Sequence, residues 1–324
     1  MNDITYTTEE VAKLLKVSKL TVYDLIKKGE LPAYRVGKQM RIDALDLEQY
    51  KSNTKNDGLS RQSISNDVTM GVIPPNSALD PTSDGVAQSQ RTLVITGQDL
   101  SLDLLARHLE KMAPTYRSLR SHDGSLDSLI SMYRGQSDIV SSHLLDGDSG
   151  EYNIPYVTKI LAGHSYMVVN LLQRIAGLYV RKGNPHNLQE WSDLSKPGIT
   201  LINREKGSGA RVLLDEQLRI HGIDRNLIKG YVQEETGHMG VAGRVSAGTA
   251  DVGVGIQNAV SLFNEVEFIP LIKERYDLIV LKKPQNMEWI AQLLQILRSS
   301  EFRQELLSIQ GYDLSLTGQV LFET

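Results

Sequence analysis

The sequence predicts a multidomain chain, a small α+β unit followed by a larger layered α/β one. Three observations carry this. Residues 7–42 hold two short helical patterns and then an alternating stretch, residues 51–90 keep no apolar period, and from Arg91 onward strand-like and helix-like runs alternate. At 324 residues the chain is too long for one small core, so two or three domains are expected.

The first helix is announced by Thr7 with Glu10 three residues on, the form of a capping box, ahead of the apolar positions of Val11, Leu14 and Leu15. Ser18 can cap a second helix whose Leu20, Val22, Leu25 and Ile26 recur at helical spacing until Gly29 ends it. Two helices joined by so short a step suggest a helix-turn-helix. Residues 31–42 alternate apolar and polar side chains around Gly37-Lys38, as a β-hairpin does, and that hairpin is the expected wing. Leu14, Leu15, Val17, Val22, Leu25, Ile26 and Ile42 are expected in the core of this unit.

Charge is unevenly spread. The chain carries a formal net −4, yet residues 16–41 hold seven Lys or Arg against Asp24 and Glu30, a balance of +5. In a helix-turn-helix the second helix enters the major groove, so Ser18, Lys19, Thr21 and Tyr23 are candidate contacts to bases or phosphates. Arg35, Lys38 and Arg41 on the wing are candidates for the backbone or minor groove. The competing reading is a solvated charged face on a protein-interaction module.

Residues 51–90 are rich in Ser, Asn, Asp, Thr, Gly and Pro, a linker composition. The expected division is therefore 1–52, 53–90 and 91–324.

In the last segment, strand-like runs at 92–96, 138–140, 199–202 and 251–255 alternate with helical patterns such as Leu102, Leu105, Leu109 and Met112, which argues for α/β layers with largely parallel sheet. There is no Walker phosphate loop, and Gly253-Val254-Gly255 lacks the third glycine of a dinucleotide fingerprint. What recurs instead is a small polar or glycine turn just before a helix, at Ser101-Leu102-Asp103, Gly124-Ser125-Leu126-Asp127, Gly207-Ser208-Gly209-Ala210-Arg211 and Glu235-Thr236-Gly237-His238. Converging helix N-termini make an anion site, because unpaired N–H donors and the positive dipole end both favour negative charge. Each turn alone also reads as an ordinary N-cap, and Asp103 and Asp127 compete with an anion for the same dipoles.

Two resemblances sharpen these readings. The run 8–50, with EVAKLLKVSKLTVYDLIKKGELPAYRVGKQMRI at 10–42, resembles the excisionase-type, MerR-like winged helix family. The run from Leu93 to about Val320 resembles the type II periplasmic-binding-protein-like domain associated with molybdate-type ligands. It does so through DGSLDSLISMYRGQSDIVSSHLLDGDSGEYNIPYV (123–157), GLYVRKGNP (177–185), GITLINREKGSGARVLLDEQL (198–218), GTADVGVGI (248–256), ERYDLIV (274–280) and FRQELLSIQGYDLSLTGQV (302–320). That resemblance implies two lobes, about 91–172 with 270–324 and about 175–268, joined by crossover strands around a cleft. By it, Ser101, Ser125, Ser208, Gly209, Arg211, Thr236 and Tyr276 face the cleft, where hydroxyls and amides hold molybdate, tungstate or a related small anion. Arg211 pairs either with the ligand or with Asp215 one turn along; His143 and His238 are either contacts or structural donors; Tyr152 and Asn153 either line the mouth or make a turn.

The function implied is a ligand-responsive transcription regulator. Its expected partners are a double-stranded DNA operator, a small anionic ligand and a second copy of the chain as homodimer, since so small a head needs two copies on a two-fold operator. The alternatives are an enzyme or accessory protein acting on a molybdenum-cofactor intermediate, and a transport receptor. No enzyme activity, metal or cofactor is expected. The chain has no cysteine for a thiolate site, and its seven histidines never fall in HExxH-like spacing. A polar, acidic N-terminus and the lack of any apolar run of about 18 residues imply no secretory signal and no membrane, hence the cytoplasm.

Overall fold

A computed structural model describes residues 5–15, 17–27, 31–36, 39–44, 46–47, 50 and 90–324. They fall into two compact units divided at Ser83/Asp84. Most of the expected linker, together with Lys38, lies outside the described residues.

The first unit is built from β1 (Thr5–Thr7), α1 (Thr8–Leu15), α2 (Lys19–Lys27), β2 (Tyr34–Val36) and β3 (Gln39–Asp43) in an antiparallel sheet of order β1-β3-β2. The capping box closes α1: the Thr7 amide donates to Glu10 Oε2 at 2.8 Å, and the Glu10 amide donates to Thr7 Oγ1 at 3.3 Å. Ser18 Oγ accepts the Thr21 amide at 3.1 Å at the head of α2. Val11, Ala12, Val22, Leu31, Ile42 and Leu47 form the core, with Leu15, Leu25 and Ile26 packed against it. Leu14 and Val17, expected inside, are 48% and 39% exposed. The core-facing stripe of α1 is filled by Val11 and Ala12, and Val17 sits in the turn.

The second unit runs β4 (Arg91–Thr96), α3 (Ser101–Met112), β5 (Tyr116–Ser121), α4 (Ser125–Tyr133), β6 (Ile139–Ser142) and α5 (Ile154–Ile160) into the long strand β7 (Tyr166–Arg181). There follow β8 (Leu201–Arg204), α6 (Gly209–Ile220), β9 (Glu234–Glu235), α7 (Gly237–Ser246) and β10 (Val252–Ile256). A second long strand, β11 (Val266–Leu281), then leads to α8 (Met287–Arg298), α9 (Ser300–Leu307), β12 (Tyr312–Asp313) and β13 (Val320–Glu323). The sheet order is β5-β4-β6-β11-β7-β10-β8-β9, with β12 and β13 also on β7. Its flanks are parallel, as expected from the alternation. Its centre is not: β11 pairs antiparallel with both β6 and β7, and β10 with β7. The chain passes between lobes once in each direction, so the two crossover strands must oppose each other.

Each lobe has its own apolar interior. Trp289, Phe302, Leu102 and Leu105 centre one cluster of the first lobe, and Leu201, Leu213, Leu214 and Val252 centre one of the second. The crossover pairing from Tyr166↔Leu281 to Arg181↔Val266 slips between Pro270 and Ile272. There Gly177 is needed, because a Cβ at that position would lie 2.0 Å from the Ile269 carbonyl oxygen. No helix among the described residues is long and apolar enough to cross a membrane.

Candidate functional site

The lobes meet over a cavity of about 490 Å³. The first lobe supplies the loop Gly97–Leu100, Gly124 and Ser125 at the start of α4, and Ser141 and His143 at the end of β6. The second supplies Ser208 and Gly209 at the start of α6, Gly237, His238 and Met239 at the start of α7, and the segment after β10. Arg174 of β7 and Tyr276 of β11 form the floor.

The lobes are already in contact beside this cavity. The Leu126 amide donates to the Gly207 carbonyl across the cleft at 2.9 Å. Gln98 of the first lobe donates from Nε2 to Glu205 at 3.0 Å and accepts from Arg204 Nη2 at 2.6 Å. The His143 ring packs on Gly209, where a Cβ would come within 2.5 Å of ring atoms, so the contact requires glycine.

Three helices therefore begin at the wall of one cavity. The start of α6 offers Gly209 behind Ser208, whose Oγ is engaged by the Arg211 amide at 3.3 Å and donates to the Glu205 carbonyl at 2.9 Å. The start of α7 offers Gly237, His238 and Met239, with no side-chain cap. The start of α4 offers Ser125, whose Oγ accepts the His143 amide at 3.4 Å. First-turn donors of this kind lie outside the helical ladder and attract negative charge.

Under the cavity lies a buried ionic chain. Arg174 donates from Nε to Glu274 Oε1 at 2.5 Å and from Nη1 to Asp99 Oδ2, while Glu274 Oε2 meets His143 Nδ1 at 3.2 Å. The Arg174 guanidinium also lies 4.4 Å from the centre of the Tyr276 ring, and Tyr276 Oη shares a 2.7 Å hydrogen bond with Ser141. Burial alone would raise the Glu274 carboxyl, but His143 and Arg174 outweigh it and hold the group at about 2. Burial opposes charge on Arg174 too, yet Glu274 and Asp99 raise its pKa above the ordinary arginine value. For Tyr276, burial and then Asp99 push the phenol up to about 12. The cation on the floor is thus already balanced by two carboxylates, and the anion-attracting groups left on the cavity are amides and hydroxyls.

Burial, followed by Arg204 and Arg174, drives the His238 imidazole well below its usual pKa, so it is neutral. Its Nδ1 is buried with no hydrogen-bond partner among the described residues.

Four of the seven residues expected in the cleft are on its surface: Ser125, Ser208, Gly209 and Tyr276. Three are elsewhere. Ser101 is fully buried and turned onto Asp99, to which its amide and hydroxyl donate at 2.8 and 2.5 Å. Arg211 takes the structural option: it pairs with Asp215 at 3.2 Å and Glu234 at 3.1 Å and lies over the Tyr231 ring. Thr236 is exposed, off the cavity wall. Asn153 makes a turn at φ 64°, its Oδ1 accepting the Leu144 amide at 2.8 Å and its Nδ2 donating to Asp277 at 2.8 Å. Arg174, Glu274 and Asp99 were missed by motif reasoning. A signal existed for Arg174, a charge between the apolar stretches 171–172 and 175–180. Glu274 sits among Lys273, Arg275 and Asp277, and only the register, which sets it opposite Arg174, singles it out.

In the first unit, Ser18 and Thr21 share a 2.8 Å hydroxyl contact, Lys19 reaches back to Glu9 at 2.5 Å, and Tyr23 is 42% exposed. Arg35 on β2 is exposed and Arg41 on β3 half-buried. Among the described residues no cluster of acids and histidines could hold a metal ion.

Comparison with known proteins agrees with both units. Residues 5–55 match the helix-turn-helix domain model, and 106–298 match the PBP superfamily domain model. The YvgK protein of Bacillus subtilis is 49% identical over 319 residues, covering 98% of each chain. Among solved structures, the tungstate ABC transporter protein of Geobacter sulfurreducens superposes with a TM-score of 0.51 at 13% identity, over 68% of this chain and 99% of that one. The sulfate-binding protein SubI of Mycobacterium tuberculosis gives 0.51 at 16% identity, over 68% and 85%. The matched models are of DNA-binding and binding-protein types. The chain belongs to the PBP superfamily, carrying a two-lobed binding domain behind an excisionase-type helix-turn-helix.

Proposed function

We propose that the protein is a cytoplasmic transcription regulator which reads a double-stranded DNA operator as a homodimer and senses a small anion, molybdate or tungstate, in its interlobe cleft. The observation that carries this reading is the meeting of three helix N-termini from two lobes on one cavity whose lining guanidinium, Arg174, is already paired. Such a site binds an anion through neutral donors, and it is complete only when both lobes contribute. The superposition on proteins named for tungstate and sulfate agrees with an oxyanion.

Thermal unfolding of the full chain tests it. Molybdate or tungstate at about 100 times its dissociation constant should add roughly 2.7 kcal/mol to the folded state. For a unit of this size that is a rise of roughly 5–10 °C in Tm, with less from sulfate if cavity size selects. No shift with any tetrahedral oxyanion at millimolar concentration would overturn the anion reading.

On the DNA side the proposed contacts are Ser18, Lys19, Thr21 and Tyr23, on or before α2, to bases or phosphates in the major groove, and Arg35, Lys38 and Arg41 to the backbone or minor groove. The Lys19–Glu9 pair is a surface pair, weak enough to exchange for a phosphate. Removing Arg35 and Arg41 together should weaken binding on all sequences alike and reduce the slope of log affinity against log salt by about 0.9 for each phosphate no longer neutralised. An unchanged slope in the double alanine variant would remove the hairpin from the interface.

A further inference from the structure

The cavity is larger than the anion it is proposed to hold, and its two depths differ in chemistry. A five-atom tetrahedral oxyanion, at no more than the roughly 30 Å³ of a water for each atom, displaces at most about 150 Å³. The cavity measures about 490 Å³. Opening of the lobes does not account for the excess, because the Leu126–Gly207 and Gln98–Arg204 hydrogen bonds already join them.

The floor is polar and buried, with Ser125, Ser141, Ser208 and Arg174 each at most 5% exposed. The exposed part of the lining, the mouth, is mixed: beside Gln98, Asp123, Ser261 and Gln310 it carries three large apolar side chains, Leu100 of the first lobe at 59% exposure and Met239 and Leu262 of the second at 45% and 74%. What sets these three apart from exposed apolar residues elsewhere, such as Leu227 and Val232, is that they line one cavity, where an apolar part of a ligand would cover them. Their place on the cavity wall, above the polar floor, makes that part the distal end of the cleft ligand.

We infer that the cleft takes an organic anion, an oxyanion headgroup on the helix N-termini at the floor and a compact apolar body under Leu100, Met239 and Leu262. This rests on the anion site of the reading proposed above and replaces its ligand, molybdate or tungstate, by an organic one with an oxyanion headgroup. Inorganic oxyanions are then headgroup analogues, which fill the floor and leave the mouth wet. Burying the apolar body against these three side chains supplies the difference in affinity.

The test is calorimetric titration of the full chain with matched probes: inorganic phosphate against phenyl phosphate, and sulfate against benzenesulfonate, with molybdate as a headgroup reference. In at least one pair the organic probe should bind ten-fold or more tightly than its inorganic parent. In the Leu262→Ser, Met239→Ser variant that ratio should fall toward one. Inorganic anions that bind while both organic probes bind no better would overturn the organic ligand and leave the anion site standing. If no probe binds, molybdate included, the anion site itself falls. A ratio that survives both serine substitutions would also overturn the assignment, since the gain would then come from elsewhere.

Discussion

Arg174→Leu should destabilise the second unit by about 3–5 kcal/mol, the largest effect of any single substitution at the cleft floor. The side chain is 4% exposed and is the shared partner of Asp99 and Glu274, so its loss leaves two carboxylates buried with one cation removed. The penalty is that of uncompensated buried charge rather than of two lost hydrogen bonds, and this has a pH signature. In the parent, Glu274 is held at about 2, below its ordinary 4.5. A depressed carboxyl contributes stability that is complete above about pH 4.5 and is lost as pH falls toward 2. Without Arg174 one of the two charges that oppose burial, beside His143, is gone, the balance moves toward the neutral acid, and the variant should recover part of its deficit as pH drops from 7 toward 5. Denaturant unfolding at the two pH values checks this. A loss under 1 kcal/mol at pH 7, or a deficit that does not shrink in acid, would mean that the chain of charges does not hold the crossover together. Arg174→Leu with Glu274→Leu should cost less than the sum of the two single variants, because the pair is removed together.

How much of this was legible in the sequence follows the range of the interactions involved. The head was readable because its signals are local: Thr7 and Glu10 are three residues apart, Ser18 and Thr21 likewise, and the apolar spacing of the two helices needs no distant partner. The strand and helix alternation of the second unit was readable for the same reason. The antiparallel centre of its sheet was not, since β7 and β11 are joined by 84 intervening residues and their directions are fixed by the return of the chain between lobes.

The cleft shows the same division. That helices begin at 101, 125, 209 and 237 was written in the turns before them. Which of those beginnings a ligand could reach was not. At α3 the donors are consumed by Asp99, two residues upstream, which Tyr312 and Arg174 hold in place from the far end of the chain and from a crossover strand. At α6 the Arg211 guanidinium turns away to Asp215 and Glu234. A residue type says what a side chain can donate; its competitors for that donation come from the whole fold.

The second large effect is expected between the two units. Anion in the cleft should change the affinity of the full chain for its operator by 5- to 150-fold, the span of an ordinary coupling of about 1–3 kcal/mol. Ser125 on one lobe and Ser208, Gly209 and the start of α7 on the other line one cavity; on the proposed reading a ligand that meets all of them binds the closed form more tightly than an open one. Interlobe bonds such as Gln98 with Arg204 and Glu205 set how much of the closed form exists beforehand. Gln98→Ala should lower that fraction, weaken apparent anion affinity by the same factor, and enlarge the response of DNA binding to anion. Linkage makes the coupling reciprocal: operator DNA must shift the dissociation constant for molybdate by the factor by which molybdate shifts that for DNA. Titrating molybdate into the full chain with and without operator measures one arm, and titrating operator with and without molybdate measures the other. Equal molybdate constants in the presence and absence of DNA, with binding established in both, would show that the two units share a chain without sharing an equilibrium, and the cleft would then have to be read by another protein.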